Sequence, residues 1–171
     1  MQEDQALWAQ INRGDAPAFE ALYNAHFNRV CTFLRIYLSD ASVVEDVAQD
    51  TFLQFWQSPG GFNPARSGLG AYLFGVARKK AADWWRRREK SGNPFAEAVS
   101  TSSHSTLEIG DALQQLSPDL RNVLWLREVE GYSYVELADI LGLPIGTVKS
   151  RLFSAREQLR RVWKTTSKEA L

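Results

Sequence analysis

The stretch from Gly131 to Trp163 reads GYSYVELADILGLPIGTVKSRLFSAREQLRRVW, and it decides the fold. Ser133 followed three residues later by Glu136 has capping-box form, in which the hydroxyl and the carboxylate each take a backbone N–H at a helix start. A short helix over 133–141 is therefore predicted, stopped at Gly142. Pro144 lacks an N–H and suits the start of a second helix, 145–163. Two helices joined by Gly142-Leu143-Pro144 have the layout of a helix-turn-helix. Helical spacing puts Val135, Leu137, Ala138, Leu141, Val148 and Leu152 where the two helices cross. Around the rest of the second helix stand Thr147, Lys149, Ser150, Arg151, Phe153, Ser154 and Arg156. A recognition helix meets base edges from its N-terminal turns. Arg and Lys suit guanine and phosphate, and Ser or Thr can meet either. A plain helical hairpin with a charged face is the alternative reading.

Upstream of this stretch the chain is also helical. Ser117-Pro118 marks an N-cap and first turn, opening a helix to about Glu130 that Gly131 stops. Residues 91–106 have another character: seven of the sixteen are Ser or Thr, behind Gly92, Asn93 and Pro94. They read as a flexible linker. Fully extended, sixteen residues reach at most about 53–58 Å, roughly the length of 16 base pairs. Before the linker, Asp15 caps a long helix with Pro17 in its first turn. Phe19, Leu22, Tyr23, Phe27, Val30, Leu34 and Tyr37 form its apolar stripe. A second helix, from Asp40 or Ser42 to about Gln57, turns Val44, Ala48, Phe52 and Phe55 inward and carries Asp46, Gln49, Asp50 and Leu53 on another face. Residues 58–68 are a Gly/Pro loop, and a further helix covers about Leu69 to Lys90. The prediction is an all-α chain of two small domains, 1–90 and 107–171, joined by the linker 91–106.

Composition agrees. The 171 residues are 44% apolar and 23% charged, as in an ordinary globular protein. The single cysteine, Cys31, has no partner for an intrachain disulfide. The longest clearly apolar stretch, Ala71 to Ala77, is too short to cross a bilayer. Met1-Gln-Glu-Asp4 is no secretory leader. The expectation is a cytoplasmic protein without membrane insertion. His26 and His104 have no metal-ligand partners at useful spacing, and Gly60-Gly61 is not followed by Lys-Ser/Thr as in a phosphate loop. No enzyme, metal or cofactor is expected.

The net charge of zero hides a pattern. Residues 1–50 sum to −5, 78–90 to +5, 97–139 to −6 and 149–168 to +6. Either basic block alone fits a solvated helix face as well as a polyanion contact. Two blocks, each ending a separate apolar-patterned half, favour nucleic acid. In the first, Arg78, Lys79, Lys80, Trp84, Trp85, Arg86, Arg87 and Arg88 mix cations with indoles, which stack on unpaired bases while the cations follow phosphate. Helical spacing sends one of the two tryptophans to the core. A neighbouring Gly/Pro loop is what a pocket for a flipped base requires.

Together these segments resemble a bacterial extracytoplasmic-function sigma factor, a small specificity subunit of RNA polymerase. Residues 131–163 resemble that family's fourth conserved region. VVEDVAQDTFLQFWQ (43–57) and GAYLFGVARKKAADWWRRR (70–88) resemble its second. The resemblance implies that Asp46, Gln49, Asp50 and Leu53 grip the coiled coil of the β′ subunit of core polymerase. It implies that the loop carrying Phe62, Asn63, Arg66 and Ser67, with the helix from Arg78 to Arg88, melts and reads the minus-ten element. Thr147, Lys149, Ser150, Arg151, Phe153, Ser154 and Arg156 would read the minus-thirty-five element, and helix 118–129 would dock on the β flap. Promoter DNA, both duplex and melted, and an anti-sigma factor are the further partners implied. Lys79, Tyr72 and Ser154 depart from the family's usual Asn, Trp and Arg, and the first and last of these leave the promoter sequence open. A sigma-like decoy that binds only an anti-sigma factor, or a simple helix-turn-helix repressor, is the alternative. Neither accounts for both basic clusters and the acidic helix.

Overall fold

The computed structural model describes residues 2–90, 113 and 115–169, with side chains to Arg161. The sequence's linker, 91–106, and the side chains of Val162 and Trp163 lie outside the described residues. Among the described residues every regular element is helical. The chain divides into two compact units, within residues 1–97 and 98–171.

Among its described residues the first unit has four helices, α1 (Gln2–Ile11), α2 (Ala16–Leu34), α3 (Ala41–Gln57) and α4 (Leu69–Lys90), with a single 3₁₀ turn at Pro59–Gly61. Asp15 caps α2 by accepting the Ala18 N–H at 3.1 Å. Asp40 caps α3, accepting from the Ser42 N–H at 2.9 Å and its hydroxyl at 2.7 Å. Those bonds favour the carboxylate and hold the Asp40 pKa below its ordinary range. The predicted stripe of α2 runs past its end, because the chain leaves the helix at Leu34 and Tyr37 sits in the turn that follows.

The inner faces of α2, α3 and α4 make the core. Phe33, Phe52, Phe55 and Phe74 are fully buried. Edge-on and tilted ring pairs knit the helices together: Tyr23 to Phe52 at 4.9 Å, Phe19 to Trp56 at 4.9 Å and Phe33 to Phe74 at 5.1 Å. Cys31 is buried among them, and burial raises its thiol pKa. That makes it a core residue rather than a nucleophile. Helix α1 is absent from the sequence reading. Its Ile11 is buried, while Trp8 and Asp4 reach the loop between α3 and α4.

The second unit contains α5 (Pro118–Glu128), α6 (Tyr134–Leu141) and α7 (Ile145–Glu169). Ser117 stands at the N-cap of α5 without a side-chain capping bond, and α5 ends two residues before the predicted Glu130. The Ser133/Glu136 capping box forms in both directions. Gly142 takes a left-handed conformation at φ +64°, which ends α6 and turns the chain into α7. Leu137, Ile140, Leu141, Val148, Leu152 and Ala155 are buried between α6 and α7 and the rest of the unit. Val135, expected in that contact, is instead 56% exposed, because it lies on the first turn of α6 opposite Leu137 and Leu141. Val123, Leu124 and Leu126 of α5 are buried as well, since so small a unit needs them for its core. Leu120 and Trp125 of the same helix are half-buried. Its exposed apolar residue is Val129, at 67%.

Candidate functional site

Three surfaces gather the residues singled out in the sequence. The first is a groove between α3 and α4 of about 560 Å³, lined by Val43, Asp46, Val47, Gln49, Asp50 and Leu53 from α3 and by Trp84 and Arg87 from α4. The four predicted residues of α3 stand together here, all exposed. Opposite them, Lys80 places its Nζ 4.0 Å from Asp50. Lys80, Trp84 and Arg87 follow one another at four- and three-residue steps, so one stripe of α4 faces α3. Acidic carboxylates, an exposed leucine and an indole wall make a surface suited to a basic, partly apolar helix.

This geometry corrects the reading of the basic helix. Trp84 and Trp85 do not adjoin the Gly/Pro loop. They lie fifteen residues beyond Leu69 on one continuous helix, which at about 1.5 Å per residue is roughly 22 Å away. Both indoles are half-buried, and Trp85 Nε1 donates to the Tyr37 carbonyl at 3.1 Å. Trp84 meets Trp85 edge-on at 5.1 Å and has the Arg88 guanidinium 5.0 Å over its ring. Arg86 pairs with Asp83, and Lys79 is exposed on another side of α4. The cluster is thus shared between faces: Trp84 and Arg87 line the groove, and Lys80 stands one turn earlier against Asp50.

The second surface is the loop itself. Phe62, expected to meet DNA, is only 3% exposed. Its ring is edge-on to Trp8 at 6.1 Å and to Tyr72 at 5.5 Å, because a loop with a single helical turn needs an apolar anchor to hold its shape. Asn63 builds the turn after it: its Oδ1 accepts the Ala65 N–H at 3.0 Å and its carbonyl the Arg66 N–H at 3.0 Å. Asn63 and Arg66 are exposed and Ser67 is half-buried.

On the third surface, α7 turns Lys149, Ser150, Phe153 and Ser154 outward, with Phe153 68% exposed and Thr147 half-buried. The two arginines flank the buried stripe and reach back to α5. Arg151 Nη1 lies 2.9 Å from Asp119 at the start of α5, and Arg156 Nη2 lies 2.6 Å from Glu128 at its end. The bond to Glu128 favours the charged guanidinium and raises the Arg156 pKa. Lys149 sits 5.8 Å over the Tyr134 ring. Asp119, Glu128 and Tyr134 were not among the residues singled out in the sequence. Their signal is acidic and aromatic residues in the elements next to a basic helix.

Comparison with known proteins bears on all three surfaces. The Sigma-70 region 2 family model matches residues 22–91, and the Sigma-70, region 4 model matches 106–159. The chain is 30% identical over 177 residues to the ECF RNA polymerase sigma-E factor of Haemophilus influenzae, covering 91% of this chain and 93% of that protein. It is 27% identical over 190 residues to the RNA polymerase sigma-H factor of Pseudomonas aeruginosa, covering 99% and 98%. Among solved structures, the sigma factor RpoE bound to the anti-sigma factor NepR from Bartonella quintana matches with a TM-score of 0.72 at 28% identity, over 85% of this chain and 96% of that one. CnrH bound to the cytosolic domain of CnrY matches with a TM-score of 0.70 at 28% identity, over 95% and 97%.

Proposed function

The chain belongs to the extracytoplasmic-function class of the sigma-70 family, and from that premise we propose how its three surfaces divide the work of an alternative sigma factor. It is a transcription-initiation factor that directs RNA polymerase to promoters. The α3 groove, through Asp46, Gln49, Asp50 and Leu53, takes the β′ coiled coil of core polymerase. The loop through Asn63, Arg66 and Ser67, held from beneath by Phe62, takes the melted minus-ten strand, with Lys79 and Arg78 of α4 tracking phosphate. The outward face of α7, through Thr147, Lys149, Ser150, Phe153 and Ser154, reads the minus-thirty-five duplex, flanked by Arg151 and Arg156. Trp84 and Arg87 join the polymerase contact rather than base stacking.

The observation that carries this reading is the separation of charge within the first unit. An acidic, partly apolar groove on α3 and a polar loop at the far end of α4 fit two different partners, a basic helix and a nucleic acid strand. The factor acts by contact alone, leaving covalent chemistry to the polymerase, and works where the polymerase works, in the cytoplasm. The solved complex of one relative with an anti-sigma factor supports the same kind of control here. The domain limits we propose are 1–90 and 107–171, with 91–106 as the span between promoter elements.

The test is runoff transcription by core polymerase with this chain on a promoter library. Promoter-directed transcripts that vanish when about eight linker residues are removed, cutting the linker's reach to near 27 Å, support the division. Equal activity after that deletion would overturn it.

A further inference from the structure

We propose that α1 is the brace that sets the shape of the strand-reading loop, with Trp8 and Asp4 as its positioning residues. The inference rests on the reading of residues 58–68 as the loop that takes the melted minus-ten strand. Three contacts from α1 span that loop from entry to exit. At the entry, Trp8 Nε1 donates to the Pro59 carbonyl at 2.8 Å. In the middle, Phe62 packs edge-on to Trp8 on one side and to Tyr72 on the other. At the exit, Asp4 Oδ2 accepts the N–H of Leu69, the first residue of α4, at 3.2 Å.

The last contact is a helix cap supplied from a distance. The first N–H groups of a helix have no partner inside it, and a carboxylate there also meets the positive end of the helix dipole. Asp4 does for α4, from 65 residues earlier in the chain, what Asp15 and Asp40 do locally for α2 and α3. Two glycines make the close approach possible. A Cβ at Gly68 would lie 2.8 Å from Asp4 Oδ2, and one at Gly61 would lie 2.9 Å from the Tyr72 hydroxyl. Neither glycine has a positive φ, so a side chain at either would be resisted by crowding against the Asp4 carboxylate or the Tyr72 hydroxyl and not by backbone conformation.

A loop of this kind gains from being held in advance. Its regular structure is one 3₁₀ turn, Pro59–Gly61, so its shape depends on side chains that reach it from elsewhere. Ordering such a segment at the moment of binding weakens the complex, and a preformed loop avoids that cost. Asn63, Arg66 and Ser67 follow directly on Phe62, so a shift of the Phe62 anchor moves all three.

The experiment compares the full chain with Trp8→Phe, which keeps a ring but loses the donor, and with Asp4→Ala, which loses the acceptor. Asn63→Ala and Arg66→Ala probe the loop itself. Each protein is bound to core polymerase on one promoter, and permanganate reactivity of unpaired thymines reads strand opening. Hydrogen exchange of the loop amides in the free protein reads loop order. Loss of one hydrogen bond should speed exchange over residues 60–69 about three- to tenfold and lower strand opening by a similar factor. Core affinity and exchange in α2 and α3 should stay within twofold of wild type. Wild-type loop exchange in both α1 variants would overturn the proposal. So would faster exchange with unchanged strand opening, which would make α1 only a structural support. If Asn63→Ala and Arg66→Ala also leave opening unchanged, the loop's assignment falls and the brace falls with it.

Discussion

Asp50 offers a clean separation of folding from binding. Its carboxylate is 65% exposed and its nearest cation is Lys80 Nζ, at 4.0 Å. An exposed pair at that distance contributes about 0–1 kcal/mol. Asp50→Lys loses that contact and sets two ammonium groups near each other, for a stability loss of about 1 kcal/mol. Val44, Ala48, Phe52 and Phe55 on the inner face of α3 are untouched, so the helix should persist. On the proposed contact, the same reversal faces a partner cation in an interface from which water is excluded. It should then weaken core binding by about 2–4 kcal/mol. At 1.4 kcal/mol per decade that is a Kd raised about 30- to 700-fold, with Asp50→Asn in between. Fluorescence titration of labelled chain with core polymerase at two salt concentrations measures it, with circular dichroism as the folding control. A Kd within threefold of wild type, with helix content intact, would refute the placement of the polymerase contact on this groove.

Other expectations concern the second unit and acid stability. Glu128→Gln should release Arg156 from its ion pair, strengthening binding to nonspecific duplex up to about fivefold, as a pair worth up to about 1 kcal/mol implies. If Arg156 then reaches a phosphate, the salt dependence should steepen by about 0.9 in slope; an unchanged slope places Arg156 away from DNA. Ser133→Ala removes one half of the α6 capping box and should cost about 1 kcal/mol in thermal unfolding of the second unit. The Asp40 pKa is depressed on folding by its bonds to Ser42 and Val43. Its contribution is therefore complete above the ordinary carboxylate value of about 3.9 and is lost as pH falls through the lower folded value. Wild type should lose its advantage over Asp40→Asn in that acid window, and a pH-independent difference in urea midpoint would contradict this.

Much of the architecture is legible in local signals. Asp15, Asp40 and the Ser133/Glu136 pair announce helix starts that the backbone bears out, because a cap acts within three residues of itself. Gly142 likewise ends α6 where a left-handed residue is needed. What escapes the sequence is long-range. Helix α1 is only ten residues long, and its purpose becomes visible only where Asp4 and Trp8 meet a loop more than fifty residues away. Phe62 looks like a surface aromatic in a Gly/Pro loop, yet Trp8 and Tyr72 enclose it. The α4 cluster reads as one basic patch along the chain, but a helix distributes neighbours around its axis, so Lys80, Trp84 and Arg87 face Asp50 while Lys79 faces away. Arg151 and Arg156 are legible as cations on α7, but their tethers to Asp119 and Glu128 are not.

The most direct test of the central claim, that one chain reads two promoter elements with two separate surfaces, is a selection of active promoters from a randomised library. It is run by transcription with core polymerase and the wild-type chain, Asn63→Ala or Lys149→Ala. The wild type should enrich two short motifs at a fixed spacing. Lys149→Ala should relax or change only the upstream motif, and Asn63→Ala only the downstream one. A single enriched motif, or the same loss at both motifs from either substitution, would contradict the account.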